Sequence, residues 1–478
     1  MKTPAKIAIV SLGVFILALA AQLSPQRLAA QAYDVVLRNG RVLDPESGLD
    51  GVRYVGIAGG KIAAVSTMVL HGKAEIDATG LVVAPGFIDL HSHGQTPENY
   101  RYKAMDGVTT ALELEVGVSP VSGWYAARQG HSLINFGASA GHIPARMAIM
   151  KDTGGLLPRD AAMNRAATTE EQKAVEAAVR KGLEEGGLGV GLGIAYTPTA
   201  TPDEILNLFY VAARFKRPVF VHMRGGGVVT ALQEVMTDAA VSGAPLHVVH
   251  INSAATSKTP LALQMIEGAR AHNLDVTTEA YPYTASMTEI ASAAYEGWER
   301  REPEYFSRLL WPATGERLTR ESFARYRRQG GFVIQFGNTE EMVRAAIAHP
   351  LVMIASDGLI ENAKGHPRGA GTFARVLGRY VRDEKLITLM DAVRKSSLMP
   401  AQRLESMAPR MRDKGRLKIG ADADISVFDE GRVIDKATFE NAAQYSEGFR
   451  YVLVRGIFAV RDGRLVDGVA PGEAIRAR

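Results

Sequence analysis

Two histidines separated by a single residue provide the first chemical signal in this sequence. His91 and His93 lie in the segment PGFIDLHSHG, residues 85–94, directly after a short apolar run. Side chains two residues apart on an extended strand point to the same side, so both imidazoles face one space. Pairs of imidazoles are good ligands for zinc and similar divalent metals. The motif therefore predicts part of a metal site at the end of a strand.

Three further polar residues follow apolar runs in the same way. His222 lies at the end of the run in PVFVHM, His250 at the end of the run in PLHVVHIN, and Asp357 follows the run in LVMIASDG. In a barrel of parallel strands the active site is built at the carboxyl ends of the strands, so residues far apart in sequence meet there. We expect these three side chains to join His91 and His93 in one centre.

The run TTALELEVG, residues 109–117, places two acidic residues on one face of a predicted strand. Burying the carboxylates of Glu113 and Glu115 is unfavourable unless they meet a metal, a cation or hydrogen-bond donors. We favour Glu115, which is nearer the end of the strand, as an anionic ligand shared by two metal ions, with Glu113 as the alternative. Pairing of either carboxylate with a buried arginine is the structural alternative.

These residue types predict hydrolysis by metal-activated water, with zinc as the expected cofactor and one or two divalent ions per chain. A bound metal lowers the pKa of its water from about 15.7 towards about 7 and polarises a carbonyl group. Asp357 is the expected general acid–base catalyst, which accepts the water proton and returns it to the leaving group. The expected metal ligands are His91, His93, Glu115, His222, His250 and Asp357.

Positioning these residues requires a parallel α/β barrel. Between residues 85 and 404, short apolar runs alternate with amphipathic stretches such as Thr169–Glu185 and Pro202–Phe215, a pattern typical of β/α units. Eight runs are candidate strands, the number that closes a (β/α)8 TIM barrel. They lie near Phe87–His91, Thr109–Glu115, Leu133–Ser139, Leu188–Ala195, Pro218–Met223, Leu246–Ile251, Asp275–Ala280 and Leu351–Ser356. A further run, Phe332–Phe336, is a candidate ninth strand in an insertion.

Both ends of the chain that follows residue 32 have a different, β-rich pattern. Residues 33–84 and 411–478 contain short alternating runs separated by hairpin signals such as Asn39-Gly40 and Asp462-Gly463. We expect the two ends to form one small composite β-sandwich domain, with the metal-dependent hydrolase barrel over residues 85–410.

The overall composition is that of an ordinary globular enzyme. The 478 residues are 46% hydrophobic and 22% charged, which allows a large core. The net charge of +4 is small and the charges are mixed along the chain, which argues against a nucleic-acid partner and leaves a small-molecule substrate as the expected one. The chain has no cysteine, so disulfides, thiolate ligands and a cysteine nucleophile are excluded. The oligomeric state is left open.

Residues 1–32 have the order of a secretory signal peptide. Lys2 and Lys6 precede an apolar run over residues 7–20, and Ala30-Gln31-Ala32 offers a small-residue cleavage site. An uncleaved membrane anchor is the alternative, but the apolar run is short for a bilayer core of about 30 Å. We therefore expect export to the periplasm or the medium, with no stable membrane anchor after cleavage.

Longer motifs resemble the amidohydrolase superfamily and, within it, the N-acyl-D-amino-acid deacylases (D-aminoacylases). The resemblance covers nearly the whole chain after residue 32 and is most particular in HPRGAGTFARVLGRYVRD, residues 366–383. It also includes GVTT (107–110), GHIPAR (141–146), VHMR (221–224), EAYPYTAS (279–286), ASDG (355–358) and GRLKIGADADISVFD (415–429). The resemblance implies hydrolysis of the amide bond of N-acyl-amino acids of D configuration, which yields a carboxylic acid and a free amino acid.

The sequence departs from this family at the metal centre. D-aminoacylases typically present a bridging cysteine after GVTT, whereas Glu115 stands beside that position here and resembles the glutamate of other branches. The fourth predicted strand, GVGLGIAY, has no lysine of the kind that is carboxylated in dihydroorotase-like relatives. The number of metal ions therefore stays open between one and two.

Candidate substrate-binding residues lie near the same strand ends. Arg224, Arg368 and Arg375 are expected to bind a substrate carboxylate through bidentate hydrogen bonds, although structural ion pairs are the ordinary role of an arginine. Tyr283 and Ser286 follow the seventh predicted strand and are expected to bind the substrate carboxylate or to polarise its carbonyl.

Two other functions are compatible with the sequence. A dipeptidase or cyclic-amide hydrolase of the same superfamily would use the same centre on a different substrate. A secreted binding protein that has lost catalysis would lack one or more of the expected ligands. All four histidines and the aspartate are present, which argues against the second alternative.

The first prediction concerns processing of the chain. When the protein is produced in a host that exports it, we expect the exported form to begin at or close to Tyr33, because a signal peptidase cleaves after the small-residue motif. Sequencing the N-terminus of the exported form measures this directly. An intact Met1 on membrane-bound protein would instead favour the anchor.

Overall fold

The computed structural model of the protein describes Met1 and residues 33–478. The predicted signal peptide falls, except for Met1, outside the described residues. Residues Tyr33–Arg478 form one unit. Within residues 33–478, no helix combines the length and the hydropathy that crossing a membrane requires.

The elements of residues 33–478 follow the predicted β-rich, α/β, β-rich order. The N-terminal strands are β1 (Tyr33–Asp44), β2 (Leu49–Ala58), β3 (Lys61–Ser66), β4 (Gly72–Asp77) and β5 (Val82–Pro85). The central strands are β6 (Phe87–Asp89), β7 (Val108–Val118), β8 (Asn135–Gly141), β9 (Val190–Gly193), β10 (Val219–His222), β11 (Leu246–Val248), β12 (Val276–Ala280), β13 (Ala285–Glu289), β14 (Leu309–Trp311), β15 (Glu316–Arg317), β16 (Phe332–Phe336), β17 (Val352–Ile354), β18 (Ile360–Glu361) and β19 (Lys364–Gly365). The C-terminal strands are β20 (Ile425–Phe428), β21 (Phe449–Val454), β22 (Ile457–Arg461) and β23 (Arg464–Leu465).

Helices lie between the central strands and between β19 and β20. They are α1 (Pro97–Met105), α2 (Val121–Ala126), α3 (His142–Met150), α4 (Ala161–Asn164), α5 (Thr169–Glu184), α6 (Pro202–Arg214), α7 (Val228–Ser242), α8 (Ile251–Ala255), α9 (Thr259–Ala271), α10 (Pro303–Ser307), α11 (Arg320–Gln329), α12 (Glu340–Ala348), α13 (Arg368–Arg375), α14 (Leu389–Val393) and α15 (Met399–Leu404). The starts of the two predicted amphipathic helices have clear local causes. Thr168 and Glu171 form a capping box at α5, and Thr201 caps α6 ahead of Pro202.

Eight parallel strands form the barrel, in the hydrogen-bonded order β6-β7-β8-β9-β10-β11-β12-β17. The two edges of this sheet meet just past its first and last strands. There Ser92 pairs in parallel with Gly358, and the backbone N–H of Asp357 donates to the carbonyl of His91 over 2.7 Å. The predicted (β/α)8 barrel is confirmed, with the strand ends that carry His91 and Asp357 side by side.

The candidate ninth strand lies outside the barrel. Phe332–Phe336 is β16, which pairs antiparallel with β13 and β14 in a four-stranded sheet of order β13-β16-β14-β15. This sheet is inserted between the seventh and eighth barrel strands, β12 and β17. The insertion is therefore a separate layer that follows the strand end carrying Glu279 and Ala280.

The two ends of the chain share one mixed sheet, in the order β23-β22-β21-β20-β5-β1-β2-β3, with β4 paired to β1. The antiparallel pairing of β5 with β20 joins the N-terminal and C-terminal parts. Both parts contribute to one apolar core, which includes Leu37, Ile57, Ile425 and Leu453. The composite β-domain expected from the sequence is thus one continuous mixed sheet around a shared core.

The last residues of the chain leave this sheet and return to the barrel. The N–H of Ile475 donates to the carbonyl of Phe136 over 2.7 Å, and the N–H of Ala477 donates to the carbonyl of Gly186 over 3.0 Å. Ile475 is fully buried and packs with Leu188 in the barrel interior. The C-terminal tail therefore belongs to the barrel, because its apolar side chains fill the space beside β8.

A buried ion pair supports the junction between the first and last barrel strands. Lys103 Nζ lies 2.8 Å from Asp89 Oδ2 and donates to Ser356 Oγ over 2.6 Å. The Ser356 hydroxyl in turn donates to Asp89 over 2.6 Å, and the backbone N–H groups of His91 and Ser356 donate to the other carboxylate oxygen. Asp89 and Lys103 are at most 1% exposed, so each compensates the charge of the other out of water.

Removing the cation of this pair should destabilise the fold strongly. We expect Lys103→Met to lower the free energy of unfolding by about 3–5 kcal/mol, because it leaves the Asp89 carboxylate buried and uncompensated. Chemical denaturation measures the change. The control is Arg38→Met, which removes a partly exposed ion pair with Glu75 and should lower it by less than about 1 kcal/mol. Equal effects of the two substitutions would contradict this role of Lys103.

Candidate metal centre

Six of the sequence-predicted residues meet at the carboxyl end of the barrel. Each lies on a barrel strand or within four residues of its end, which is where this fold builds its active sites. The residues are His91 and His93 after β6, Glu115 on β7, His222 at the end of β10, His250 after β11 and Asp357 after β17. Their side chains come from five strands that are dispersed over more than half of the sequence.

The first group of ligand atoms surrounds one point. The Nε2 atoms of His91 and His93 lie 3.1 Å apart, and they lie 3.0 and 3.2 Å from Oε2 of Glu115. Oδ1 of Asp357 lies 3.5 Å from the first nitrogen and 3.4 Å from the second. Two atoms bound at about 2.0–2.1 Å to one tetrahedral metal lie about 3.4 Å apart, so this spacing suits a shared zinc-like ion.

A second group of ligand atoms uses the other oxygen of the same carboxylate. Glu115 Oε1 lies 2.8 Å from His222 Nδ1 and 3.9 Å from His250 Nε2, and the two nitrogens lie 3.0 Å apart. In both groups these ligand atoms satisfy the spacing of a metal site. Glu115 therefore stands between two candidate sites with one oxygen directed to each, and its role as a shared anionic ligand stays a prediction.

Two further carboxylates contact the imidazoles of His91 and His93 at Nδ1, the ring nitrogen opposite the ligand atom Nε2. Glu113 Oε2 lies 3.0 Å from His93 Nδ1, and Glu279 Oε1 lies 2.6 Å from His91 Nδ1. His247 Nε2 lies 3.3 Å from the other oxygen of Glu279. A carboxylate behind a metal-binding imidazole fixes the orientation and tautomer of the ring and makes the facing nitrogen a stronger ligand. Glu113 thus has a supporting position, and Glu115 occupies the position shared by both groups.

Sequence reasoning missed Glu279. A signal was present, because this glutamate lies within an apolar barrel strand, and a buried carboxylate needs a partner in the same way as Glu113 and Glu115. What the sequence did not show was which imidazole would lie opposite it. His91 is 188 residues away along the chain, and only the closed barrel brings the two together.

The charged groups of this centre strongly shift one another's pKa values. Burial raises the pKa of Glu115, but its contacts with His222, His91 and His93 lower it well below the ordinary value. Burial lowers the pKa of His91, but the carboxylates of Asp357, Glu279 and Glu115 raise it to about 10. Burial lowers the pKa of His250 to about 3, with His222 acting in the same direction. The His91 side of the centre is therefore rich in negative charge, which favours a cation there.

The two carboxylate oxygens of Asp357 face different partners. Its Oδ1 faces His91 and His93, whereas its Oδ2 lies 2.9 Å from Nη1 of the buried Arg368. Burial raises the pKa of Asp357, but Arg368 and His91 lower it well below the ordinary range, so the group is a carboxylate. Two glycines allow this arrangement, because a Cβ on Gly358 would lie 2.6 Å from the Cα of Gly369.

Two of the converging residues have unusual backbone conformations. Asp357 has φ of 51° and His250 has φ of 34°, in the left-handed region that non-glycine residues rarely adopt. The backbone N–H of Asp357 is held by the carbonyl of His91, which anchors this turn. Such conformations persist where the surrounding structure holds them, and they concentrate at functional sites.

A narrow cavity of about 20 Å³ lies against the first group of ligand atoms. Polar side chains form the inner wall of the cavity and apolar side chains form the rest. The lining residues are His93, Glu115, Asp357, Arg368, Tyr196, Thr288, Val116, Leu156, Leu157, Met287, Phe332 and Leu359.

Of the five predicted substrate-binding residues, Arg368 is the one that lines this cavity. Arg375 pairs with Asp435 over 3.0 Å, and the hydroxyl of Tyr283 donates to the same carboxylate over 3.3 Å. Ser286 lies on β13 opposite Gln335. Arg375 and Tyr283 are therefore engaged with the protein itself, which differs from the expectation that they face a substrate carboxylate, whereas the role of Ser286 stays a prediction.

Arg224 lies on the other side of the centre. It pairs with Glu234 over 2.8 Å and donates to the carbonyl of Ala200 over 3.2 Å. Together with His222, it lines a second cavity of about 410 Å³. Its guanidinium is therefore used in a structural ion pair beside the centre, which is the ordinary role that the sequence analysis gave as the alternative.

Comparison with known proteins places these features in a family. Residues 74–460 match the model of the "Amidohydrolase family". The N-acyl-D-glutamate deacylase of Alcaligenes xylosoxydans xylosoxydans is 32% identical over 89% of this chain and 93% of its own length. The crystal structure of N-acyl-D-glutamate deacylase from Bordetella bronchiseptica, complexed with zinc and a phosphonate inhibitor, has a TM-score of 0.80 and 29% identity, and the match covers 94% of this chain and 100% of that one.

A structure of D-aminoacylase that was used to study its binuclear metal centre has a TM-score of 0.79 and 27% identity, with 93% of this chain and 100% of that chain covered. The chain thus shares its fold over nearly the full length of these metal-dependent deacylases, and it has histidine and glutamate ligand candidates at its own strand ends. On the match of the family model and the 32% identity over most of the chain, this protein belongs to the amidohydrolase family, as a metal-dependent amidohydrolase of the N-acyl-D-amino-acid deacylase type.

Proposed function

We propose that this protein hydrolyses the amide bond of N-acyl-D-amino acids and releases a carboxylic acid and a free D-amino acid. The observation that carries the proposal is the meeting of two ligand groups on the single carboxylate of Glu115, with Asp357 facing the first group. The choice of substrate class rests on the similarity to deacylases of N-acyl-D-glutamate, N-acyl-D-aspartate and other N-acyl-D-amino acids.

Two zinc ions are the cofactor that this centre fits. His91, His93, Glu115 and Asp357 would hold the first ion, and Glu115, His222 and His250 would hold the second. When bound, zinc acidifies water and polarises a carbonyl group. The imidazole and carboxylate donors and their spacing of 2.8–3.9 Å support this assignment.

Asp357 is the residue that moves the proton. Its Oδ1 accepts a proton from the attacking water as the new C–O bond forms at the carbonyl carbon, and the same proton passes to the nitrogen as the C–N bond breaks. Arg368 holds Oδ2, so the carboxylate keeps Oδ1 turned towards the histidine pair.

A hydrolysis screen tests the substrate class. Purified zinc-loaded protein is assayed on N-acetyl-D-amino acids, the matching N-acetyl-L-amino acids, dipeptides and cyclic amides. We expect turnover of the D series. Turnover of dipeptides or cyclic amides in its place would assign a different reaction to the same centre, and a full set of inactive substrates together with absent metal would support a binding protein.

We further propose that the enzyme acts after export, in the periplasm or the medium. The charged, apolar and small-residue order of residues 1–32 supports this location. The small net charge of +4 favours a small-molecule substrate over a nucleic-acid partner.

The carboxylate of Glu279, which contacts Nδ1 of His91, should control the affinity of the centre for zinc. We expect Glu279→Gln to weaken zinc binding by about 10- to 100-fold, because the His91 ring loses the charge that orients it and strengthens its Nε2 as a ligand. Competition between metal-free protein and a chromophoric chelator measures the affinity. Glu384→Gln is the control, since that glutamate forms a partly exposed ion pair with Arg344. Unchanged zinc affinity in Glu279→Gln would contradict the supporting role of this residue.

Replacing the proposed proton carrier should separate catalysis from metal binding. We expect Asp357→Asn to lower kcat by at least about 10²-fold, because the amide keeps the shape of the side chain but lacks the basic oxygen. Metal content per chain should change much less, since the four histidines and Glu115 remain. Both quantities are measured on one preparation, with Asp383→Asn as a partly exposed control.

Two results would reject this role of Asp357. Near-normal turnover of Asp357→Asn would assign the proton transfer to another group, with Glu113, which contacts His93, as the next candidate. Loss of the metal together with activity would make Asp357 chiefly a ligand.

A further inference from the structure

A buried histidine outside the two ligand groups, His366, connects elements that stand beside the metal centre. It lies between β19 and α13 and is fully buried. Its ring packs between those of Tyr283 and Phe439, with 5.4 and 5.1 Å between ring centroids and angles of 89° and 87° between the ring planes. A ring that is enclosed in this way keeps one orientation, so its two nitrogens have fixed partners.

The two ring nitrogens of His366 make different hydrogen bonds. Nε2 lies 3.0 Å from the carbonyl oxygen of Ala285 on β13, and Nδ1 lies 3.1 Å from the backbone nitrogen of Arg368. A carbonyl oxygen accepts and a backbone N–H donates, so Nε2 carries the proton and Nδ1 is the acceptor. Burial and the charge of Arg368 lower the pKa of His366 well below its ordinary value, which keeps the ring neutral.

The Nδ1 contact satisfies a backbone group that α13 leaves without a partner. Arg368 is the first residue of this helix, and no side-chain hydrogen bond is formed by its N-cap residue, Pro367. The first N–H groups of a helix have no acceptor within the helix. His366 therefore supplies the acceptor and fixes the backbone from which the Arg368 side chain extends.

The side chain of Arg368 connects this anchored backbone to Asp357. Its Nη1 lies 2.9 Å from Oδ2 of Asp357, and its Nη2 donates to the carbonyl of Met287 over 3.3 Å. Met287 and Ala285, whose carbonyl accepts from His366, belong to the same strand, β13. One strand therefore holds both the histidine that anchors the Arg368 backbone and the guanidinium at the other end of that residue.

We propose that His366 is a positioning residue for the proton transfer. It fixes the backbone of Arg368, and Arg368 holds Oδ2 of Asp357 so that Oδ1 stays turned towards the histidine pair. This inference rests on the proposed function and adds to it a residue that does not line the cavity at the metal centre. A purely structural His366 would instead fill the space between Tyr283 and Phe439 and would act on stability alone.

Two variants that each keep one of the hydrogen bonds test this role. The side-chain oxygen of asparagine can replace Nδ1 as acceptor, and the side-chain nitrogen of glutamine can replace Nε2 as donor. His366→Asn therefore keeps the bond to Arg368, whereas His366→Gln keeps the bond to Ala285. We expect His366→Gln to lower kcat by about 10²-fold, because a displacement of about 1 Å near the reacting groups can cost that much. His366→Asn should restore at least about tenfold of this loss.

Each variant is the control for the other, because both lose one hydrogen bond of the same side chain. KM and zinc content per chain should stay close to the wild-type values in both. Equal kcat values in the two variants, or kcat values that follow their melting temperatures, would overturn the positioning role. A rise in KM without a fall in kcat would also overturn it, because His366 would then act on substrate binding.

A double variant tests the path through Arg368. In an Arg368→Met background, His366→Gln should have no further effect on kcat, because the contact with Asp357 is already lost. Effects of residues that act through one path are not additive, whereas effects of independent residues add. Additive losses in the double variant would therefore overturn the path from His366 through Arg368 to Asp357.

Crystal structures of the zinc-loaded variants separate this inference from the proposed function, because they need no turnover. The distance between Arg368 Nη1 and Asp357 Oδ2, 2.9 Å in the wild type, should increase in His366→Gln and be kept in His366→Asn. If this difference is seen but no N-acyl-D-amino acid is hydrolysed, the reaction is wrong and the positioning of Asp357 by His366 stands. An unchanged distance in both variants would overturn the positioning role.

Discussion

The centre depends on one carboxylate that is almost completely removed from water. Glu115 is 2% exposed in the mouth of an apolar barrel, where an uncompensated charge would be strongly unfavourable. Its two oxygens contact Nε2 of His91 and His93 on one side and Nδ1 of His222 on the other. A carboxylate in this position needs cations on both sides, and the imidazole nitrogens around it have the spacing to place metal ions there. The remaining features of the site can be understood as support for this arrangement.

Support for the centre is divided between rigid and variable parts of the fold. The ligands lie on barrel strands or just past their ends, and Glu113 on β7 and Glu279 on β12 hold the histidine rings, so the geometry depends on the hydrogen-bonded barrel. The close approach of Gly358 and Gly369 brings Arg368 to Asp357 from a different element, α13. The apolar side of the cavity comes from the inserted sheet and from loops. Chemistry placed on strands and selectivity placed on loops and insertions is a usual division in this barrel, because loops change without loss of the core.

Much of the fold could be predicted because its patterns are local. Alternating apolar runs and amphipathic stretches indicated the eight barrel strands, and hairpin signals indicated the β-rich ends. The C-terminal tail was harder, since nothing in residues 472–478 distinguishes a strand of the composite sheet from a segment that covers Phe136 and Leu188 of the barrel. For the substrate candidates, the sequence showed arginines and tyrosines near strand ends. It did not show that Arg375 and Tyr283 both contact Asp435, which lies 60 residues after Arg375.

The sequence by itself determined which residues could form the centre, because histidines and carboxylates directly after apolar runs are unfavourable to bury without a metal or a partner. His91, His93, Glu115, His222, His250 and Asp357 were all recognisable on this ground. Tertiary structure decided which of these residues contact each other. Each oxygen of Glu115 faces its own group of nitrogens, and Glu279 contacts Nδ1 of His91. Among the predicted arginines, Arg368 is the one that lines the cavity against His93 and Asp357. The reason is physical. Burial and residue type are encoded locally, whereas the distance between atoms on different strands depends on barrel closure and strand stagger, to which the whole chain contributes.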